Sequence, residues 1–143
     1  MADITHSIQI DVPPPRVFPL LSSGAGLARW WAEDMSERFD GVVDLGFFAR
    51  ATVYSLKLGR TSPPSTVEWR CQSGKEWQGT KLTFELIDNK GFTVLRFAHS
   101  EWEEATEYFV SCNTTWGALM FRLKRVCERD ATEPLFSSEG WAL

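Results

Sequence analysis

Apolar and polar positions alternate over residues 4–12: Ile4, His6, Ile8, Ile10 and Val12 share one face, and Thr5, Ser7, Gln9 and Asp11 the other. A period of two predicts a half-buried strand. Pro13, Pro14 and Pro15 end it. Proline suits the first helical turn, so a short helix to Leu21 follows. Pro19 falls inside that helix, where it removes a backbone donor and crowds the preceding turn, and it predicts a kink or an early end. After a break at Ser22, Ser23, Gly24 and Gly26, residues 27–31 read as a second short helix ending in Trp30 and Trp31. Adjacent helical positions point about 100° apart. Both indoles are therefore buried only if this helix sits in a crevice or over a cavity mouth.

From Gly41 to Ser100 the pattern is mostly that of strands. Residues 42–48 and 51–58 are rich in β-formers, and residues 61–65 carry a turn with Pro63 and Pro64. Residues 66–72 alternate, with Val67, Trp69 and Cys71 together; in residues 80–87, Leu82, Phe84 and Leu86 share a face. Asp88, Asn89, Lys90 and Gly91 make a hairpin turn. Residues 92–99 then place Leu95, Phe97 and His99 on one face. Strands joined by short turns predict an antiparallel meander with one face covered. The cover is a helix that starts between Glu103 and Thr106 and ends near Glu128, with Ser100 and Glu103 at capping-box spacing. Phe109, Cys112, Trp116, Leu119, Met120, Leu123 and Cys127 recur at steps of three or four. They form an apolar stripe along about 20 residues, roughly 30 Å of helix. The fold class is thus α+β: a curved antiparallel sheet wrapped around a long C-terminal helix. One domain is expected over residues 1–143, with its core in residues 4–128 and a tail in 130–143 docked by Phe136 and Trp141.

Composition refines this picture at three points. The chain holds seven Trp and ten Phe in 143 residues, so some aromatic bulk can line a cavity rather than fill it. The net charge is −4. Nucleic acid is not expected as a partner, because phosphate neutralisation needs a basic face. The one basic cluster, Arg122, Lys124, Arg125 and Arg129, suits the C-terminal end of a helix dipole. Cys71, Cys112 and Cys127 match no metal or redox spacing. They read as free buried thiols of a cytoplasmic protein. Residues 1–6 lack the pattern of a signal peptide, and no apolar run is long enough to insert in a membrane.

Several segments resemble the START-like superfamily, also called SRPBCC or helix-grip. The strand over residues 8–12 followed by the proline-bearing start to Phe18 is similar to the family opening, and Trp30 with Trp31 is similar to its tryptophan pair. Residues 67–71, 76–84 and 95–102, with Tyr108, Phe109, Thr115, Trp116, Gly117 and Leu123, resemble a bacterial branch of homologues of the activator of the heat-shock-protein-90 ATPase. The resemblance spans residues 4–128. It departs at Pro19, where the family continues its first helix, and at residues 22–26, which replace an aspartate-proline turn. The resemblance implies a deep apolar cavity between sheet and long helix. It implies no single function, since one fold carries many.

The sequence contains no metal-ligand spacing, no glycine-rich phosphate loop and no nucleophile elbow. No catalytic residue, metal or cofactor is assigned. A couple between His99 and Cys71 or Cys112 would require an electropositive, partly open setting. Glu101, Glu103, Glu104 and Glu107 read as a solvated first helical turn. The expected function is binding of a small hydrophobic or aromatic molecule. A cyclase or hydrolase acting in the same cavity ranks second, and a chaperone-regulating interaction third. The expected cavity residues are Trp30, Trp31, Trp69, Leu82, Phe84, Phe97, His99, Phe109, Cys112, Trp116 and Met120; Trp30, Trp69 and Trp116 are most economically core residues, and the alternative is that their rings wall the pocket. His99 is either a structural histidine bonded to a carbonyl or hydroxyl, or the polar anchor of the pocket with its pKa lowered by desolvation. A monomer or weak homodimer is expected.

Overall fold

The computed structural model describes residues 2–38, 40–47, 50, 52–137 and 140–141, the last two by backbone alone. Strand β1 (Ala2–Ile10) is followed by helix α1 (Pro14–Val17), a 3-10 turn over Phe18–Leu20, and helix α2 (Gly24–Ala28). Then come β2 (Asp34–Glu37), β3 (Val42–Phe47), β4 (Thr52–Ser62), β5 (Thr66–Ser73), β6 (Lys81–Asn89), β7 (Phe92–Trp102) and helix α3 (Glu107–Arg129). Short strands β8 (Phe136–Ser137) and β9 (Gly140–Trp141) close the chain. Seven strands form one antiparallel curved sheet in the order β1-β7-β6-β5-β4-β3-β2. This is the helix-grip fold.

The proline region resolves as the backbone rules require. Pro14 and Pro15 occupy the first turn of α1, and Pro19 stands at the start of a separate 3-10 turn, where its missing donor costs nothing. Ser23 caps α2 by accepting from Gly26 N at 3.1 Å. Gly26 permits the two short elements to touch: a Cβ there would lie 2.1 Å from the Pro19 carbonyl oxygen. The second helix therefore covers Gly24–Ala28 rather than 27–31, and Trp30 and Trp31 lie in the turn beyond it.

Strand β2 has no alternating apolar pattern, so its pairing with β3 was not legible in the residues. Strands β4 and β7 run past their expected ends, to Ser62 and Trp102. The β6–β7 hairpin turns on Lys90 and Gly91 with φ of 55° and 91°, and Gly91 N donates to Asp88 Oδ1 at 3.0 Å. Both central residues at positive φ give the turn that matches strand twist. Helix α3 starts at Glu107, and its cap is Thr106, whose Oγ1 accepts from Phe109 N at 3.2 Å. Ser100 and Glu103 do not form the capping box: Ser100 still belongs to β7.

The apolar stripe of α3 is buried at Cys112, Trp116, Leu119, Met120, Leu123 and Cys127. The tail returns along the segment after α2. Leu135 N donates to Trp30 O at 3.0 Å, Phe136 N to Trp31 O at 3.0 Å, and Glu33 N to Phe136 O at 2.7 Å. Leu135 is buried and Phe136 packs edge-on against Phe47, ring centroids 5.0 Å apart. The Trp141 side chain lies outside the described residues.

Candidate functional site

A cavity of about 360 Å³ opens at one end of the sheet. The end of β3 supplies Phe47, the start of β4 supplies Thr52 and Tyr54, and the loop between β5 and β6 supplies Lys75 and Trp77. The first half of α3 presents Tyr108, Ser111, Cys112, Thr115, Trp116 and Leu119, while Trp31 and Phe136 close the side. Most of the wall is aromatic. Trp77 lies 4.6 Å from Tyr54 and 6.1 Å from Trp31 and from Trp116, centroid to centroid. Phe47 sits edge-on to Tyr54 at 5.6 Å. A mainly apolar wall with few polar groups is the usual character of a small-molecule site, and the volume falls in the range of about 300–1,000 Å³.

The polar groups of the wall are contiguous. The Tyr54 and Tyr108 hydroxyls are hydrogen-bonded to each other. The Cys112 thiol stands against Tyr108 and against the Trp77 indole. Trp77 Nε1 is buried and, among the described residues, has no oxygen or nitrogen acceptor. Burial raises the pKa of Tyr54, Tyr108 and Cys112 alike. The wall therefore offers neutral O–H, S–H and N–H groups. Among the described residues its one cation is Lys75, exposed, with Nζ 5.2 Å from the Tyr108 ring centroid.

Of the expected cavity residues, Trp31, Cys112 and Trp116 line this void. Trp30, Trp69, Leu82, Phe84, Phe97, His99, Phe109 and Met120 are not among its lining residues. The physical reason is that the sheet centre is filled. Trp30 Nε1 donates to Leu20 O and Trp69 Nε1 to Leu21 O, each at 2.8 Å, so these two indoles tie the short helices to the core. Phe97 fills the next layer, 5.1 Å from Phe84 and 4.3 Å from Trp116. Leu82 and Met120 are buried in the same core cluster, and half-buried Phe109 packs edge-on to Trp102 at 5.2 Å.

His99 is a structural histidine in this arrangement. Trp116 Nε1 donates to its Nδ1 at 3.1 Å, and its Nε2 lies 2.8 Å from Thr80 Oγ1. Thr80 Oγ1 in turn donates to Trp77 O at 2.5 Å. The chain of donors fixes the Nε2–H tautomer and leaves neither nitrogen for a ligand. Burial pushes the imidazole pKa down to about 3.

The sequence reading missed Trp77 because it lies in a loop that carries no period, and missed Tyr108 because the stripe as read begins at Phe109, although Tyr108 stands four residues before Cys112 and eight before Trp116 on the same face. The Thr106 hydroxyl donates to Glu76 Oε1 at 2.6 Å and so pins that loop to the helix start. The other candidate chemistry is accounted for structurally. Burial pushes the Cys71 and Cys127 thiols up to about 12. Glu101 pairs with Arg70 at 3.1 Å and Lys81 at 3.8 Å. Arg122 and Arg125 bind Glu133 of the tail, and Lys124 reaches Gln9 O and Glu128. Among the described residues, no cluster of acidic, His and Cys side chains could hold a metal ion. No helix of the described residues is long and apolar enough to cross a membrane.

The sequence has no significant match among curated proteins. Among solved structures, the solution structure of the Aha1 dimer from Colwellia psychrerythraea is 30% identical, with a TM-score of 0.79 over 90% of this chain and 97% of that one. A Staphylococcus saprophyticus protein superposes at a TM-score of 0.73 and 16% identity, covering 95% of this chain and 98% of its own. A Mesorhizobium loti protein does so at 0.75 and 14%, covering 90% and 98%. The last two show the fold alone. Residues 11–128 match the model of a family described as activator of Hsp90 ATPase homolog 1-like protein. That span runs from the end of β1 through all but the last residue of α3 and includes every wall residue except Phe136, so the chain belongs to the activator of Hsp90 ATPase homolog 1-like family.

Proposed function

We propose that the chain binds one small, mainly apolar and aromatic molecule in the cavity walled by Trp31, Phe47, Tyr54, Trp77, Trp116 and Phe136. The observation that carries this reading is a void of about 360 Å³ lined by seven aromatic rings. Native cores leave few voids larger than a water molecule, so a space of this size has been kept open against the drive to collapse. Naphthalene is a suitable probe. It should shift the indole N–H resonances of Trp31, Trp77 and Trp116 saturably and leave that of Trp69 in place. Thr115→Trp, which adds a ring to the cavity wall, should weaken binding at least 10-fold with the fold retained. An absence of any saturable shift up to the solubility limit of naphthalene would sink the proposal.

Less supports catalysis. A cyclase or hydrolase needs an acid or base that titrates near the working pH, and burial holds the wall's hydroxyls and thiol protonated. A chaperone-regulating role rests on the family description alone. Self-association has a specific observation behind it. The Colwellia psychrerythraea relative is a dimer, and this chain exposes Val110 and Phe121, three turns apart on the outer face of α3, at 52% and 69%. Phe121→Ser should lower the apparent mass in light scattering if a second copy covers that face. Three free thiols fit a reducing compartment such as the cytoplasm.

A further inference from the structure

The hydrogen-bonding groups of the cavity are unevenly matched. Tyr54 and Tyr108 carry two hydroxyl protons, and their mutual bond uses one. Where Tyr54 is the donor, the remaining proton is that of Tyr108 and has the Cys112 sulfur beside it, a weak acceptor that also faces the Trp77 indole N–H. Among the described residues Trp77 Nε1 has no other partner, which shows how short of acceptors this string is. Thr52, Ser111 and Thr115 also line the cavity, and among the described residues no hydrogen bond joins their hydroxyls to this string. The string of Tyr54, Tyr108, Cys112 and Trp77 therefore holds more protons than strong acceptors, while the three aliphatic hydroxyls, each donor and acceptor, stand apart from it. Buried donors in native proteins are normally paired.

Resting on the reading that the cavity binds an apolar molecule, we infer that the ligand carries a neutral hydrogen-bond acceptor of the carbonyl type, seated on the free hydroxyl proton of the Tyr54 and Tyr108 pair. Neutrality follows from the surroundings. A carboxylate placed here would exchange its hydration for neutral donors, and burying an unpaired charge costs far more than burying a carbonyl. The one cation among the described wall residues, Lys75, is exposed and lies over the Tyr108 ring face rather than beside its hydroxyl. A ligand that lacked any acceptor would leave that proton with the weakly accepting sulfur alone. One that offered only a further donor would compete with the tyrosines for the same lone pairs.

Three probes of similar size separate the alternatives: naphthalene, 2-acetylnaphthalene and 2-naphthoate, each titrated by indole N–H shifts. The ketone should bind the native chain about 2- to 10-fold more tightly than naphthalene, the range that one neutral hydrogen bond supplies. Its carbonyl stretch should move to lower wavenumber on binding. In Tyr54→Phe with Tyr108→Phe, the ketone's advantage over naphthalene, measured on the same variant, and its infrared shift should both vanish. The single variants should retain the advantage, because the remaining hydroxyl then has its own proton free; they also keep the test open if the double variant does not fold. A ketone no tighter than naphthalene on the native chain, or an advantage that survives the double change, overturns the inference and leaves the apolar site standing. Tightest binding of 2-naphthoate overturns it in favour of Lys75. If naphthalene itself fails to bind, both this inference and the reading beneath it fall.

Discussion

The His99 network makes stability depend on pH in a way that can be measured. Its imidazole is fully buried, accepts from Trp116 Nε1 at Nδ1, and is held neutral with a pKa of about 3. In the unfolded chain the same group has a pKa near 6.5. Between these two values the unfolded state binds a proton that the folded state refuses. Folding stability from this group is therefore fully present above about pH 6.5 and falls as the pH drops towards 3. The slope approaches 1.36 kcal/mol per pH unit. From pH 7 to pH 5 the loss is about 2 kcal/mol. That figure depends on the unfolded value alone, provided the folded pKa lies below about 4. Other groups titrate over the same interval, so the comparison must be internal. His99→Gln keeps an acceptor for Trp116 and a donor for Thr80 but cannot ionise. Urea unfolding of both proteins at pH 7 and pH 5 should show the native chain losing about 2 kcal/mol more than the variant. Equal losses, or a His99 ring that titrates near 6.5 by NMR, would refute the reasoning.

Three further outcomes follow from named contacts. Gly26→Ala should destabilise by about 1–3 kcal/mol or more, since its Cβ would meet the Pro19 carbonyl at 2.1 Å and only backbone movement relieves that; urea midpoints measure it. Thr106→Ala removes the cap of α3 and the bond that holds the Trp77 loop through Glu76. It should cost about 1 kcal/mol and also weaken naphthalene binding, whereas a loss of stability with unchanged binding would separate the loop from the site. Trp116→Ala should cost about 3–5 kcal/mol, because the ring packs on Phe97 and Trp31 and satisfies His99 Nδ1 even though one side meets the cavity. A cost near zero in chemical denaturation would mean that the ring is not part of the core.

The fold was legible where a period was strong. Alternation in residues 66–72 and 80–87 marked β5 and β6 on their correct faces, with Trp69, Leu82 and Phe84 inward. The stripe from Cys112 to Cys127 marked the buried side of α3. Strand β2 carried no such signal, because an edge strand with Ser36 and Glu37 exposed has little apolar surface to declare. The boundary of α3 slipped for a different reason. Glu101 adopts a positive φ of 67° and β7 continues through Trp102, so the acidic run is divided: Glu101 lies at a strand end, Glu103 and Glu104 lie in a linker, and only Glu107 stands in the first turn of α3.

The cavity was legible in kind but not in place, and the cause is geometric. Period two tells which side of the sheet a residue faces; it does not tell how far along the sheet the inner face stays filled. At the centre, Trp30, Trp69, Phe84, Phe97 and the inward side of Trp116 meet ring to ring or through indole hydrogen bonds, and they close the space that an aromatic-rich inner face suggested would be open. The void lies where the sheet ends and side chains from a loop, such as Trp77, and from the tail, such as Phe136, supply part of the wall. Their positions are set by long-range bonds: Thr106 to Glu76, and the return of residues 133–136 along Arg29, Trp30 and Trp31. No local pattern encodes those partners. The same geometry explains why His99, which points inward as its strand alternation requires, stands behind Trp77 and Trp116 instead of in the cavity. Two indoles and one threonine hydroxyl reach it first. The tyrosine pair, on the start of β4 and the first turn of α3, is thus left as the strongest hydrogen-bonding feature of the wall.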